Sequence, residues 1–145
     1  MGTRAGYQSR GNGEPPEEEH VKHDSGAVVR PADAAPSNTV AAGKATRMQV
    51  LVGPEQGAPN FVLRRFTMGE GGGMPLHTNQ VEHEQYVLRG RARIRIGERI
   101  HEVGPDHTLY IPAGAPHSYE VVEAPFEFLC VVPNKPDQVR IADAC

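Results

Sequence analysis

From about Ala45 to Pro133 the chain is a series of short runs in which apolar and polar residues alternate, each closed by glycine or proline. Period-two alternation puts successive side chains on opposite faces, so these runs predict half-buried strands rather than helices. The clearest is Arg91-Ala92-Arg93-Ile94-Arg95-Ile96, with arginines on one side and Ala92, Ile94 and Ile96 on the other. Gly97-Glu98 suits a two-residue hairpin, and Arg99 to Val103 returns. Further strands are predicted at Met48–Val52, Asn60–Met68, Tyr86–Leu88, His107–Ile111, Ser118–Val122 and Phe126–Val132. Ala27–Arg30 reads as a short edge strand closed by Pro31, and Ala32–Gly43 as a loop. Gly69-Glu70-Gly71-Gly72-Gly73 reads as a tight turn with positive φ angles. Ala124-Pro125 reads as another turn. The segment after Pro133 is expected to form an irregular flap or a short strand. About eight to ten strands result, enough to roll into a small barrel with a ligand-sized interior.

Composition sharpens this picture. Sixteen glycines, thirteen prolines and no tryptophan in 145 residues fit many turns around one all-β domain. Residues 1–26 carry Gly, Pro, Ser and Glu17-Glu18-Glu19 with little to bury, and are expected to be a disordered tail before a domain at 27–145. His20 and His23 fall in that tail and read as solvated. A net charge of −3 with scattered basic residues gives no case for nucleic acid. No apolar run approaches a membrane span and no secretory signal begins the chain, so the cytoplasm is expected. Cys130 and Cys145 form no metal or disulfide pattern and read as free thiols.

Candidate chemistry centres on Pro75 to Gly90. His77 and Asn79 are two apart on a predicted strand and share a face, and a turn brings His83 back toward them. His117 arrives from Pro112-Ala113-Gly114-Ala115-Pro116. Imidazoles on rigid strands are good ligands for Mn, Fe, Zn, Cu or Ni, so a divalent transition-metal site is expected. His101 and His107 lack such partners and read as surface or structural. On the Phe61–Met68 strand one face holds Val62, Arg64, Phe66 and Met68, the other Leu63 and Arg65. One arginine is expected inside, and alternation leaves open which. Gly69–Gly73 is no phosphate loop, since no GK[ST] follows. The stripe Arg89, Arg91, Arg93, Arg95 reads as a solvated face.

Two segments resemble the paired motifs of the cupin superfamily. Gly71 to Gly90 is similar to the first, a glycine, then H-x-H, then a ligand and a glycine. Gly104 to His117 is similar to the second, with P-x-G-x-x-H intact at Pro112–His117. The likeness covers residues 45–133 and is nearest to small single-domain bacterial cupins with an all-histidine, manganese-type site. Glu82-His83-Glu84 matches the context in which histidine replaces the usual glutamate ligand. The resemblance implies an all-β double-stranded β-helix, or jelly-roll, barrel. It implies a metal held by His77, His83 and His117, with Asn79 standing where a second histidine is usual. It implies a cavity lined by Val62, Arg64, Phe66, Met74, Phe128 and Cys130, which selects Arg64 over Arg65.

Three functions follow as expectations. The first is a small-molecule oxidoreductase of dioxygenase or peroxide type, with Arg64 anchoring an anionic group and Tyr86 or Tyr119 donating a hydroxyl. The second is a non-catalytic binder of a sugar acid or other small anion. The third is a sugar-acid isomerase or lyase using the metal as a Lewis acid. A homodimer is the expected assembly.

Overall fold

The computed structural model describes residues 25–142. Residues 1–24, with His20 and His23, and residues 143–145, with Cys145, lie outside the described residues. The chain divides into residues 1–30 and a compact unit, Pro31–Cys145. Val28 makes an isolated bridge in place of the edge strand expected at Ala27–Arg30.

The compact unit contains β1 (Ser37–Thr39), β2 (Lys44–Val52), β3 (Phe61–Thr78), β4 (His83–Ile96), β5 (Arg99–Val103), β6 (Thr108–Ile111), β7 (His117–Pro133) and β8 (Arg140–Ile141). A 3-10 turn at Ala32–Ala34 and β1 occupy the span expected to be a loop. The strand order is β1-β2-β3-β7-β4-β5, with β6 on β4 and β8 on β3. The Gly97-Glu98 hairpin forms as expected, with Gly97 at φ 60°.

Two predicted turns are instead corners inside unbroken strands. Gly69–Gly73 lies within β3 and Ala124-Pro125, a cis peptide, within β7. The burial pattern shows what happens there. On β4 the buried positions are His83, Gln85 and Val87, then Ala92 and Ile94. On β7 they are His117 and Tyr119, then Phe126, Phe128, Cys130 and Val132. On β3, Met68 is buried before the glycines and His77 after them. All three strands switch parity, and the ladders slip in register at the same places. A bulge adds one residue, bends its strand and re-aims the side chains beyond it. The ladder therefore folds over into two facing halves, the layout of a jelly roll.

Close backbone approach explains Gly90 at the β4 corner. Its φ is +77°, and a Cβ there would run into the carbonyls of Pro125 and Glu123. Between the halves lies a core of Met68, Val87, Ala92, Ile94, Ile111, Phe126, Phe128 and Cys130, each at most 2% exposed.

The arginine stripe of β4 faces out and is locally neutralised. Arg89 pairs with Glu127 and Arg91 with Glu102, both at 3.4 Å. Arg93 stands opposite Glu102 and Glu120 in the ladders. Exposed pairs of this kind contribute about 0–1 kcal/mol each, and the face carries little net positive charge. No helix of the described residues is long and apolar enough to cross a membrane.

Candidate metal centre and cavity

The fold-over brings the histidines together. His77 and His117 are direct cross-strand partners on β3 and β7, and their ring centroids lie 4.1 Å apart. His83 is one residue from Glu84, which pairs with Val131, at the other end of β7 from His117. Along an extended strand that separation would be about 45 Å at ~3.3 Å per residue. The His83 and His117 centroids are nevertheless 5.5 Å apart, because the two ends of β7 face each other across the interior. Asn79 follows β3, and its backbone carbonyl accepts from Gly114 N at 2.8 Å, tying it to the turn that delivers His117.

Hydrogen bonds orient two of the rings. His77 Nδ1 lies 2.8 Å from Pro75 O, and His117 Nδ1 2.9 Å from Ala115 O. A carbonyl accepts only, so both imidazoles carry a proton on Nδ1, and in the neutral form of such a ring the lone pair is on Nε2. His83 Nδ1 lies 3.3 Å from Cys130 Sγ and 3.2 Å from Arg64 Nη2. With Nδ1 protonated it donates to the sulfur and leaves Nε2 as a lone pair; the other tautomer accepts from Arg64.

Two buried polar atoms here have no protein partner, His83 Nε2 and Asn79 Oδ1. Buried polar atoms are nearly always satisfied, so a pair of orphans beside two free imidazole lone pairs fits an absent cation. Among the described residues, no three His, Cys, Asp or Glu side chains stand close enough together to hold a metal ion as they are placed. The candidate set is three rings and an amide, which would have to draw in around an ion.

Burial keeps two of the rings, His83 and His117, neutral. Burial, reinforced by Arg64, His117 and His77, holds the His83 pKa down at about 3, against a small opposing pull from Asp137. Burial also brings His117 down to about 4, despite its bond to the Ala115 carbonyl. Neutral imidazole is the ligand form.

The rings open onto a cavity of about 150 Å³, comparable to an engineered cavity that binds benzene. Arg64 lies in its wall with Phe66, Met74, Phe128 and Cys130, and Arg65 does not. Arg65 instead meets Asp33 at 3.0 Å and Gln49 at 2.8 Å. The wall is layered. Arg64 sits 5.0 Å over Phe66, Phe66 stacks on Phe128 at 5.1 Å, and Phe128 stacks on Tyr119 at 5.4 Å. Arg64 Nη2 reaches Cys130 Sγ at 3.2 Å, but its buried Nε has no partner. Burial raises the Cys130 thiol, though Arg64 and Gln85 work against it. Burial also pushes the Tyr119 phenol well above its usual range.

Two expected site residues fall elsewhere. Tyr86 is on the outer face, 41% exposed, with its hydroxyl donating to Asp106 at 2.6 Å. His83 points inward, so 85 and 87 do too, and 86 cannot. Tyr86→Phe is therefore expected to leave cavity-ligand affinity unchanged and to shift the urea midpoint little. Val62 packs against the core but does not line the cavity. His101 is exposed, and His107 accepts from Gly104 N at 3.0 Å, a turn contact.

Among the lining residues not anticipated are Gln85, Asp137, Met48 and Val139. Gln85 Nε2 lies 2.7 Å from the Tyr119 hydroxyl Oη, and that hydroxyl lies 3.1 Å from Gln85 Oε1. Strand parity could have found Gln85. Nothing in the sequence marked Asp137, which arrives on the segment after β7.

The cupin domain family model matches residues 64–132. A cupin 2 domain-containing protein from Halorhodospira halophila is 34% identical over 68% of this chain and 71% of its own, with a TM-score of 0.64. The chain belongs to the cupin 2 family. The polyketide cyclase RemF from Streptomyces resistomycificus is 30% identical to this cupin over 82% of the chain and 87% of RemF, with a TM-score of 0.74. The cupin spans about half the length of a curated relative, the 1-methylthio-D-xylulose 5-phosphate methylsulfurylase of Rhodospirillum rubrum. The match is 29% identical over 80 residues, 54% of this chain and 51% of that protein.

Proposed function

We propose that this cupin is a metal-dependent enzyme that binds a small, anionic, enolisable carbonyl compound and promotes its cyclisation or isomerisation. The observation that carries the reading is the cluster of orphaned atoms on one cavity: Asn79 Oδ1, His83 Nε2 and Arg64 Nε. The first two suit a cation and the third an anion. His77, His83, His117 and Asn79 would hold a divalent ion, which when bound supplies Lewis-acid polarisation of a carbonyl oxygen.

The chain's own groups do the rest. Arg64 anchors a carboxylate or enolate and is itself steadied by the Phe66 face. Phe66 and Phe128 offer flat apolar surface to a conjugated fragment and exclude water. Tyr119 and Gln85 close the floor as a satisfied pair, with the Tyr119 proton retained. Cys130 keeps its proton too, which suits a wall residue better than a nucleophile.

The likeness to a polyketide cyclase supports carbonyl chemistry over the oxygen- or peroxide-using alternative. The test is calorimetric titration of 2-oxo and 3-oxo carboxylates into Zn2+-loaded protein, with oxygen uptake followed in parallel. Binding that needs the metal, falls at least about tenfold in Arg64→Met and proceeds without oxygen uptake is expected. Oxygen consumption with these acids would favour the oxidoreductase. Equal binding to Arg64→Met would remove Arg64 from the site.

A further inference from the structure

The segment after β7 returns to the cavity, whose wall includes its Asp137 and Val139. It is tied down by β8, which pairs Ile141 with His77 and Arg140 with Thr78, and by Ala142 N donating to Leu76 O at 2.8 Å. Asp137 lies on this strap. Its Oδ2 accepts from Asn79 Nδ2 at 2.8 Å, and its Oδ1 from Gln80 N at 2.8 Å. Asn79 Oδ1, the other end of the same amide, is buried and has no partner.

An asparagine amide is nearly symmetrical in shape, so its neighbours decide which end faces which way. A carboxylate accepts only. It can take the amide nitrogen and cannot take the oxygen. That choice matters here, because an NH2 turned toward the histidines would repel a cation, while the carbonyl oxygen would attract one.

We propose that Asp137 is a positioning residue, which turns the Asn79 amide so that its oxygen serves as a metal donor where an imidazole is usual. The proposal rests on the metal reading above. It explains why an asparagine is workable at this position, and it gives the strap a role in the site. Polar groups just outside a metal's ligands typically change its affinity by about 10–100-fold when removed.

The test measures Zn2+ affinity by chelator competition and the visible spectrum of the Co2+ form. It compares wild type, Asn79→Ala, Asp137→Asn and the double variant. Asp137→Asn keeps an oxygen for Gln80 N but presents a donor to Asn79. It is expected to lose about tenfold or more in Zn2+ affinity and to give a Co2+ spectrum like that of Asn79→Ala. In the Asn79→Ala background it should cost nothing further. Asp137→Glu, which keeps the acceptor and the charge, should recover part of the loss.

A second measurement needs no variant. The Asn79 side-chain NH2 resonances of the wild type should persist and shift as Zn2+ is added. Full loss of affinity from Asp137→Asn on the Asn79→Ala background would overturn the proposal, since Asp137 would then act on the ion without the amide. So would wild-type affinity in Asp137→Asn, or NH2 resonances that Zn2+ leaves unmoved. A wild type that takes up no Zn2+ would overturn the metal reading and this inference together.

Discussion

His117→Ala is expected to abolish tight Zn2+ binding, with a loss larger than the ~10–100-fold typical of changes outside the ligand sphere. His117 is the residue on which the centre converges. It contacts the His77 ring at 4.1 Å, the His83 ring at 5.5 Å and the Tyr119 ring at 5.9 Å. It is 2% exposed, so its deletion also leaves a hole between the two halves of the sheet. His117→Phe keeps volume but not the lone pair, and separates the two effects. Titration with chelator competition should give the same Zn2+ loss for both variants, while urea unfolding should show the larger stability loss for alanine. Unchanged Zn2+ affinity in His117→Phe would remove this residue from the site.

Acid is expected to destabilise the metal-free protein strongly between pH 6.5 and about 4. The sign follows from the two shifted histidines. Unfolded, each titrates near 6.5; folded, His83 is held at about 3 and His117 at about 4. Within that window the unfolded chain binds more protons than the native one, so stability rises with pH. Above 6.5 both states are neutral and the contribution is complete. Below it each histidine removes up to about 1.4 kcal/mol per pH unit, until the pH reaches its folded value. By pH 4 the two groups together remove up to about 7 kcal/mol, a large share of the ~5–15 kcal/mol typical of a domain. Urea midpoints measured from pH 7 to 4 after chelation should fall steadily, and with a shallower slope in His117→Phe. A flat profile would mean that the rings are not buried neutral.

Much of the barrel was legible because period-two alternation survives within each half-strand. Ala92 and Ile94 fall inside as their pattern requires, and Gly97 makes the hairpin turn. What alternation could not show was the parity switch. Gly69–Gly73 looks like a turn in sequence because a corner also needs glycine, at φ 69° for Gly71. The ladder on either side shows it to be a bend within one strand. Local strand reasoning left the choice between Arg64 and Arg65 open because each face of β3 carries one arginine among apolar residues. The cupin resemblance selected Arg64, and the placement of β3, with Cys130 opposite Arg64 and Asp33 beside Arg65, agrees.

The site was half legible. His77, Asn79, His83 and His117 border one cavity together with Phe66, Met74, Phe128 and Cys130. Tyr86 was excluded in principle by the inward His83 three positions earlier. Asp137 was not visible at all, because its approach to Asn79 depends on β8 pairing with β3, a contact made by two residues of weak pattern.

The central claim is that residues from the two ends of a folded-over sheet close on one divalent ion. Anomalous diffraction at the Zn edge, on crystals of the Zn2+-loaded protein, tests it most directly. A single strong peak within bonding distance of His77, His83 and His117 Nε2 and of Asn79 Oδ1 is the expected result. A loaded protein whose anomalous peak lies elsewhere, or a cavity with no peak under saturating Zn2+, would contradict it.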